Sequence, residues 1–156
     1  MRRYSQLAAF VLFAGCGLFD ESDAEVVLSA SAAATVRIGD SVAVTVTIEN
    51  RSNEPITYQG NLCPRVFRVL SSSGEHAGPP FQTITCLAVH IPVQLAAGER
   101  HQFVRYWQAR THGPRFEPIV IQPGRYRIEP SIGVGQMAGG RRVDVRYVVS
   151  TIIVIE

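Results

Sequence analysis

Residues 41–58 read Ser-Val-Ala-Val-Thr-Val-Thr-Ile-Glu-Asn-Arg-Ser-Asn-Glu-Pro-Ile-Thr-Tyr, and their first half allows little other than a β-strand. Val42, Val44, Val46 and Ile48 alternate with Ala43, Thr45, Thr47 and Glu49. Successive side chains of a strand point to opposite faces, so this order turns one apolar row inward and a more polar row outward. Residues 50–55 are turn-formers and 56–58 resume β-prone residues, which predicts that the chain folds back as a neighbouring strand. The pair is expected at the centre of a β-sandwich.

The rest of the chain repeats this theme. Further strands are expected at 26–29, 35–38, 56–59, 66–70, 81–88, 102–108, 125–129 and 143–155, with 42–49 as the longest early one. Gly39-Asp40, residues 71–74, Gly78-Pro79-Pro80, Ala97-Gly98-Glu99, Gly113-Pro114 and Pro123-Gly124 punctuate them. No window of adequate length carries a 3.6-residue apolar period, so strands without intervening helices point to a sandwich or small barrel. The 156 residues suffice for one domain with a sizeable core. The β-branched run ending in Ile152-Ile153-Val154-Ile155 is too short to span a bilayer as a helix and reads as a core closing strand.

Charge bears on partners. The 15 basic residues are all arginine against 13 acidic ones. Removing residues 1–15 takes Arg2 and Arg3 and leaves 13 of each sign. A neutral mature chain argues against nucleic acid as partner, since that binding needs a concentrated basic face.

Arg2 and Arg3 precede an apolar run from Leu7 to Ala14, which meets Ala14-Gly15-Cys16. The run has the length of a signal-peptide core and is well short of the roughly 20 residues of a membrane span. This resembles the lipobox of bacterial lipoproteins, with Phe13 where the family usually has Leu. The resemblance implies removal of residues 1–15 and lipidation of Cys16, so that several acyl chains hold the protein in the lipid bilayer. An ordinary secretory signal or an uncleaved anchor are the alternatives. Gly17 stands where an inner-membrane retention signal is commonly Asp, which favours the outer membrane in a two-membrane envelope. Residues 16–25 then form the lipidated cysteine and an acidic tether carrying Asp20, Glu21, Asp23 and Glu25, and 26–156 the folded domain. Assigning Cys16 to lipid leaves Cys63 and Cys86, an even pair in an oxidising compartment, which reads as a disulfide. In the chain-entropy model it contributes roughly 3 kcal/mol. Free buried thiols or a metal pair are the other readings.

Several motifs suggest chemistry that their context declines. Residues 133–138 fit a dinucleotide-binding glycine pattern, but no helix follows to hold a pyrophosphate, so a flexible hairpin loop is expected. Ser41 sits in a loose variant of a nucleophile elbow, yet it opens a strand rather than a helix. Cys86 and His90, with His76 as a further ligand, have copper-like spacing, but Leu95 occupies the axial position and Cys63 offers Cys86 a partner. His101 and His112 default to surface or turn positions. No metal site, cofactor or catalytic residue is expected. The aromatic and basic cluster of Tyr106, Trp107, His112, Arg115 and Phe116 is the candidate partner-binding surface, because such residues are enriched in hot spots and Gly113-Pro114 holds a loop tip outward.

With Asn50-Arg-Ser52, Leu95-Ala-Ala-Gly98-Glu99, Trp107 and Pro123-Gly124-Arg-Tyr126 in view, the chain resembles an immunoglobulin-like bacterial family, the intracellular proteinase inhibitor (BsuPI) type of β-sandwich, over about residues 40–134. The resemblance implies an all-β, immunoglobulin-like antiparallel sandwich and, as one function, proteinase inhibition. The strand after 66–70 lacks the Trp of that family, and the lipobox and cysteine pair place this chain outside the cytosol. The expectation is a membrane-anchored, non-catalytic binding or envelope-structural lipoprotein with an envelope protein as partner. A proteinase inhibitor and a copper or redox module are the alternatives.

Overall fold

The computed structural model describes residues 24–60, 66–79, 91–112, 118–135 and 142–156, the side chains of 111, 112 and 118–120 excepted. The alternation of residues 41–50 becomes β3 (Ser41–Asn50), whose Val42, Val44, Val46 and Ile48 are buried. Its two edges are taken by β1 (Val26–Ala32) and β8 (Arg100–Gln108), both antiparallel, with Leu28 opposite Ile48 and Val42 opposite Trp107. A short strand β12 (Val145–Val148) completes this sheet by running parallel to β1, in the order β12-β1-β3-β8.

The second large sheet has the order β2-β13-β11-β5-β6, built from β2 (Thr35–Arg37), β5 (Phe67–Ser71), β6 (His76–Gly78), β11 (Gly124–Pro130) and β13 (Ser150–Ile155). Its inward rows, Phe67 and Val69, Tyr126 and Ile128, Ile152 and Val154, meet those of β1 and β3 in one core. Fully burying each such side chain stabilises the fold by about 1.5–3 kcal/mol. Two small pairs complete the described strands: β4 (Ile56–Gln59) with β7 (Pro92–Leu95), and β9 (Arg110–His112) with β10 (Pro118–Val120). Pairing is antiparallel except for β1 with β12 and β2 with β13.

Tyr126 fixes the fold type. Its hydroxyl donates to the carbonyl of Gln122, 2.8 Å away and four residues upstream, and its ring packs on Trp107 with centroids 6.1 Å apart. A tyrosine bonded back to the chain just before its own strand is a hallmark of immunoglobulin-like sandwiches. The molecule is an all-β, immunoglobulin-like β-sandwich. Among the described residues no helix is long and apolar enough to cross a membrane.

Three expectations need correction. β4 is not the neighbour of β3, because both edges of β3 are filled; a turn centred on Asn50 sends the chain away to pair with β7. Residues 143–155 are not one strand: β12 joins the first sheet, and Val149 carries the chain across so that β13 joins the second, where Ile152 and Val154 are buried. Residues 133–135 are not a flexible loop tip but pair with β4, Tyr58 opposite Val134. The expected strand at 81–88 lies outside the described residues.

Candidate functional site

β4 lies between β7 and residues 133–135. Gln59 N–H donates to Gly133 O at 2.8 Å, Gly135 N–H to Thr57 O at 2.7 Å, and Gly60 N–H to Ile91 O at 2.8 Å. Gly135 is required by this approach, since a Cβ there would lie 2.6 Å from Thr57 Oγ1 and 3.1 Å from Thr57 O. An open groove of about 430 Å³ results, framed by Thr57, Gln59, Ile91, Pro92 and residues 133–135, with Tyr58 beneath.

Tyr58 begins a chain of polar contacts that leads away to the edge strand β8. Its hydroxyl lies 2.9 Å from His101 Nδ1, and its ring meets Phe103 edge-on at 6.1 Å. His101 Nε2 lies 2.9 Å from Glu99 Oε1, while Glu99 Oε2 accepts the Ala96 N–H at 2.7 Å. That backbone bond, then the bond from His101, holds the Glu99 carboxyl below the usual carboxylate range. A carboxylate only accepts, so Nε2 carries a proton, and in the neutral imidazole Nδ1 then accepts from the Tyr58 hydroxyl. Burial, with the Glu99 charge adding to it, pushes the Tyr58 phenol above its usual value. Both ring nitrogens of His101 are engaged, so the contacts tie β4 to β8 and leave no imidazole lone pair for a substrate.

Asn50 holds the same corner from the other side. It is the buried polar side chain at the end of β3, and its amide nitrogen reaches Glu54 O, Ala96 O and Leu95 O at 2.8, 3.0 and 3.2 Å. Its Oδ1 accepts from Ser52 Oγ at 2.7 Å and Ser52 N at 3.1 Å. The turn after β3 and the turn before β8 are thereby fastened to each other.

The sequence-derived cluster does not assemble as expected. Tyr106 is 73% exposed on the outer side of β8, opposite Ala43, whereas Trp107 is 1% exposed and donates Nε1–H to Ala77 O at 3.3 Å. Neighbours on a strand face opposite ways, so Trp107 is core and is withdrawn from the binding set. His112 contributes backbone to β9, opposite Pro118. Arg115, Phe116, Cys16, Cys63, Cys86 and His90 lie outside the described residues. Among the described residues, no group of three or more His, Cys, Asp or Glu side chains is placed to hold a metal ion. The contact between Tyr58 and His101 spans 43 positions of sequence, and no local pattern could have revealed it.

The geometry defines an immunoglobulin-like module with an open groove beside a small, hydrogen-bonded strand pair. No protein-family model matches the sequence, and no curated protein does. Among solved structures the chain is similar to the CARDB domain of the PF1109 protein from Pyrococcus furiosus, solved with di-metal ions, at 13% identity over 99% of this chain and 100% of that one, TM-score 0.47. It is also similar to part of a β-glucosidase from Listeria innocua, at 20% identity, TM-score 0.43, covering 85% of this chain but 16% of the enzyme. A β-glucosidase from Erythrobacter marinus gives 14% identity and TM-score 0.45 over 81% of this chain and 15% of that one. Likeness at this level extends to no ligand or activity, and the fold assignment stands on the two facing sheets and the Tyr126 corner.

Proposed function

We propose that this chain is a membrane-anchored, non-catalytic binding or structural module of a bacterial envelope, on the outer membrane where there are two. Acyl chains on Cys16 hold it, a bridge between Cys63 and Cys86 staples it, and an envelope protein is its partner. The observation that carries the reading is the sequence Ala14-Gly15-Cys16 behind a basic and apolar leader, with Cys16 ten residues before β1 begins at Val26. The groove beside β4 supports binding: its walls are backbone and mostly small or apolar side chains of β4, residues 91–92 and residues 133–135, and the nearby histidine is already satisfied. Proteinase inhibition is the finer alternative and rests on the resemblance over about residues 40–134.

Intact mass spectrometry of the chain extracted from membranes tests the anchor. Loss of residues 1–15 with added acyl mass supports it, and an unacylated mass removes it. A gain of about 2 Da on reduction reports the disulfide, whereas free thiols would reopen the copper or redox reading at Cys86 and His90. Crosslinking from a photoreactive residue at Gln59 tests the groove: a neighbour captured there and lost on Thr57→Arg, at a groove-lining position, supports binding. Equal capture from a photoreactive residue at Val104 would remove the groove from the account. Slowing of a protease panel by the purified chain would promote the inhibitor reading instead.

A further inference from the structure

The near-neutral charge of this chain conceals an uneven distribution. In the second sheet the residues that alternate with the core point outward, and the register places them on one face: Arg37 opposite Ile155, Arg125 opposite Ile153, and Arg68 opposite Glu129. Arg127 stands on that face too. Four arginines meet one carboxylate across β2, β13, β11 and β5, a local charge of +3 against +2 for the whole chain. Glu129 is 14% exposed and neutralised from both sides, by Arg68 and Arg127 at 2.6 Å each, while those two arginines remain 57% and 52% exposed. Ile153 and Ile155 stand exposed between the charges, and at one end Tyr147 and Val149 frame a groove of about 530 Å³ with Arg68. The outer face of the other sheet has Ser29, Ser31, Thr45 and Thr47 at its centre and exposed Val148, Val104 and Tyr106 toward its edges, but only Arg146 and Arg100 against Glu49, two arginines where this face has four.

We propose that this outward face of β2, β13, β11 and β5 rests on an anionic phospholipid surface. Its charges do not converge on a pocket. They spread over four strands spaced about 4.8 Å apart, which suits a two-dimensional array of single negative charges better than one compact ligand. Aliphatic side chains between the arginines enter the headgroup boundary, and each arginine near such a surface strengthens partitioning about fivefold. The proposal extends the membrane-attached reading while standing on a separate observation. Residues 17–23, fully extended, reach about 24 Å, more than twice the roughly 10 Å between packed sheets. An anchor at Cys16 therefore lets either face meet the bilayer, and surface charge selects this one.

The test places a reporter on each face of the full chain. Ile153→Trp and Val104→Trp, both at exposed positions, are reconstituted into vesicles of brominated phosphatidylcholine with and without phosphatidylglycerol, the buried Trp107 giving a constant background. Quenching of the Ile153→Trp emission that requires phosphatidylglycerol, weakens with salt, and is absent for Val104→Trp is the expected result. Arg37→Gln with Arg125→Gln, neither of which holds Glu129, should raise the phosphatidylglycerol needed for half-quenching about 25-fold at unchanged thermal stability. Equal quenching of both reporters, or of Val104→Trp alone, overturns the proposal. So does unquenched Ile153→Trp, and salt-sensitive capture of a polyglutamate peptide in that case reassigns the face to an acidic protein. The mass of the same sample separates the two readings: acylated but unquenched removes only this inference, while unacylated but quenched removes only the anchor.

Discussion

Replacing Asn50 with alanine should be among the costliest single substitutions outside the apolar core. The side chain makes five contacts at 2.7–3.2 Å, three as donor and two as acceptor. Its two N–H groups serve three carbonyls, so the set amounts to about four full hydrogen bonds, each with a net value of about 1 kcal/mol. Glu54 O and Ser52 lie near the surface and regain water when the amide is removed. Leu95 O is buried with no such replacement, and Ala96 O is half-way between. The expected loss is about 3 kcal/mol, a large part of the 5–15 kcal/mol typical of a domain, and lowers the melting temperature by about 10 °C. Asn50→Asp keeps the acceptor for Ser52 but brings a carboxylate against three carbonyl oxygens. It should cost more than alanine at neutral pH and recover in part on acidification, when the protonated acid donates again. Ser52→Ala should cost about 1 kcal/mol. Urea unfolding followed by Trp107 fluorescence measures all three. An Asn50→Ala chain within about 0.5 kcal/mol of the parent, with the same denaturant slope, would refute the claim that this side chain fastens the two turns.

Glu99 has a lowered folded pKa, so its stabilising contribution is full above the ordinary value of 4.5 and is lost as pH falls through the lowered one. Acid titration of stability should flatten in this region for Glu99→Gln. Tyr58 has a raised pKa, so its contribution is full below 10.0 and is lost as pH rises beyond it; alkaline melts of Tyr58→Phe should lose that slope. Trp107→Ala should destabilise by about 3–5 kcal/mol, measured by guanidinium melts followed by far-ultraviolet circular dichroism, and a cost near that of a surface residue would contradict its place in the core. Gly135→Ala should displace residues 133–135 from β4, seen as loss of amide protection at position 135 in hydrogen exchange while β3 amides stay protected.

The strands were legible wherever one face is buried. Residues 41–50, 56–59 and 124–130 announce themselves by alternation and by the turns that bound them, because a side-chain period of two is a local property. Short strands such as β6, β7 and β9 escaped, having three or four residues each, too few to set a period of two apart from chance. Asn50 and Glu99 were visible only as turn residues. Their joint role needed the two turns to meet, and His101 looked like a surface histidine until Tyr58 was placed beside it.

By itself the sequence determined the class of fold, through rows of alternating residues that no helix could bury, and it carries the leader and Cys16 that suggest an address. Only the tertiary structure decided which strands are neighbours, because pairing joins residues far apart in the chain and composition does not encode register. That choice moved β4 away from β3 and split residues 143–155 between two sheets. It also gathered four arginines of a nearly neutral chain on one face, since net charge is a sum over residues and a surface is made by where the backbone places them.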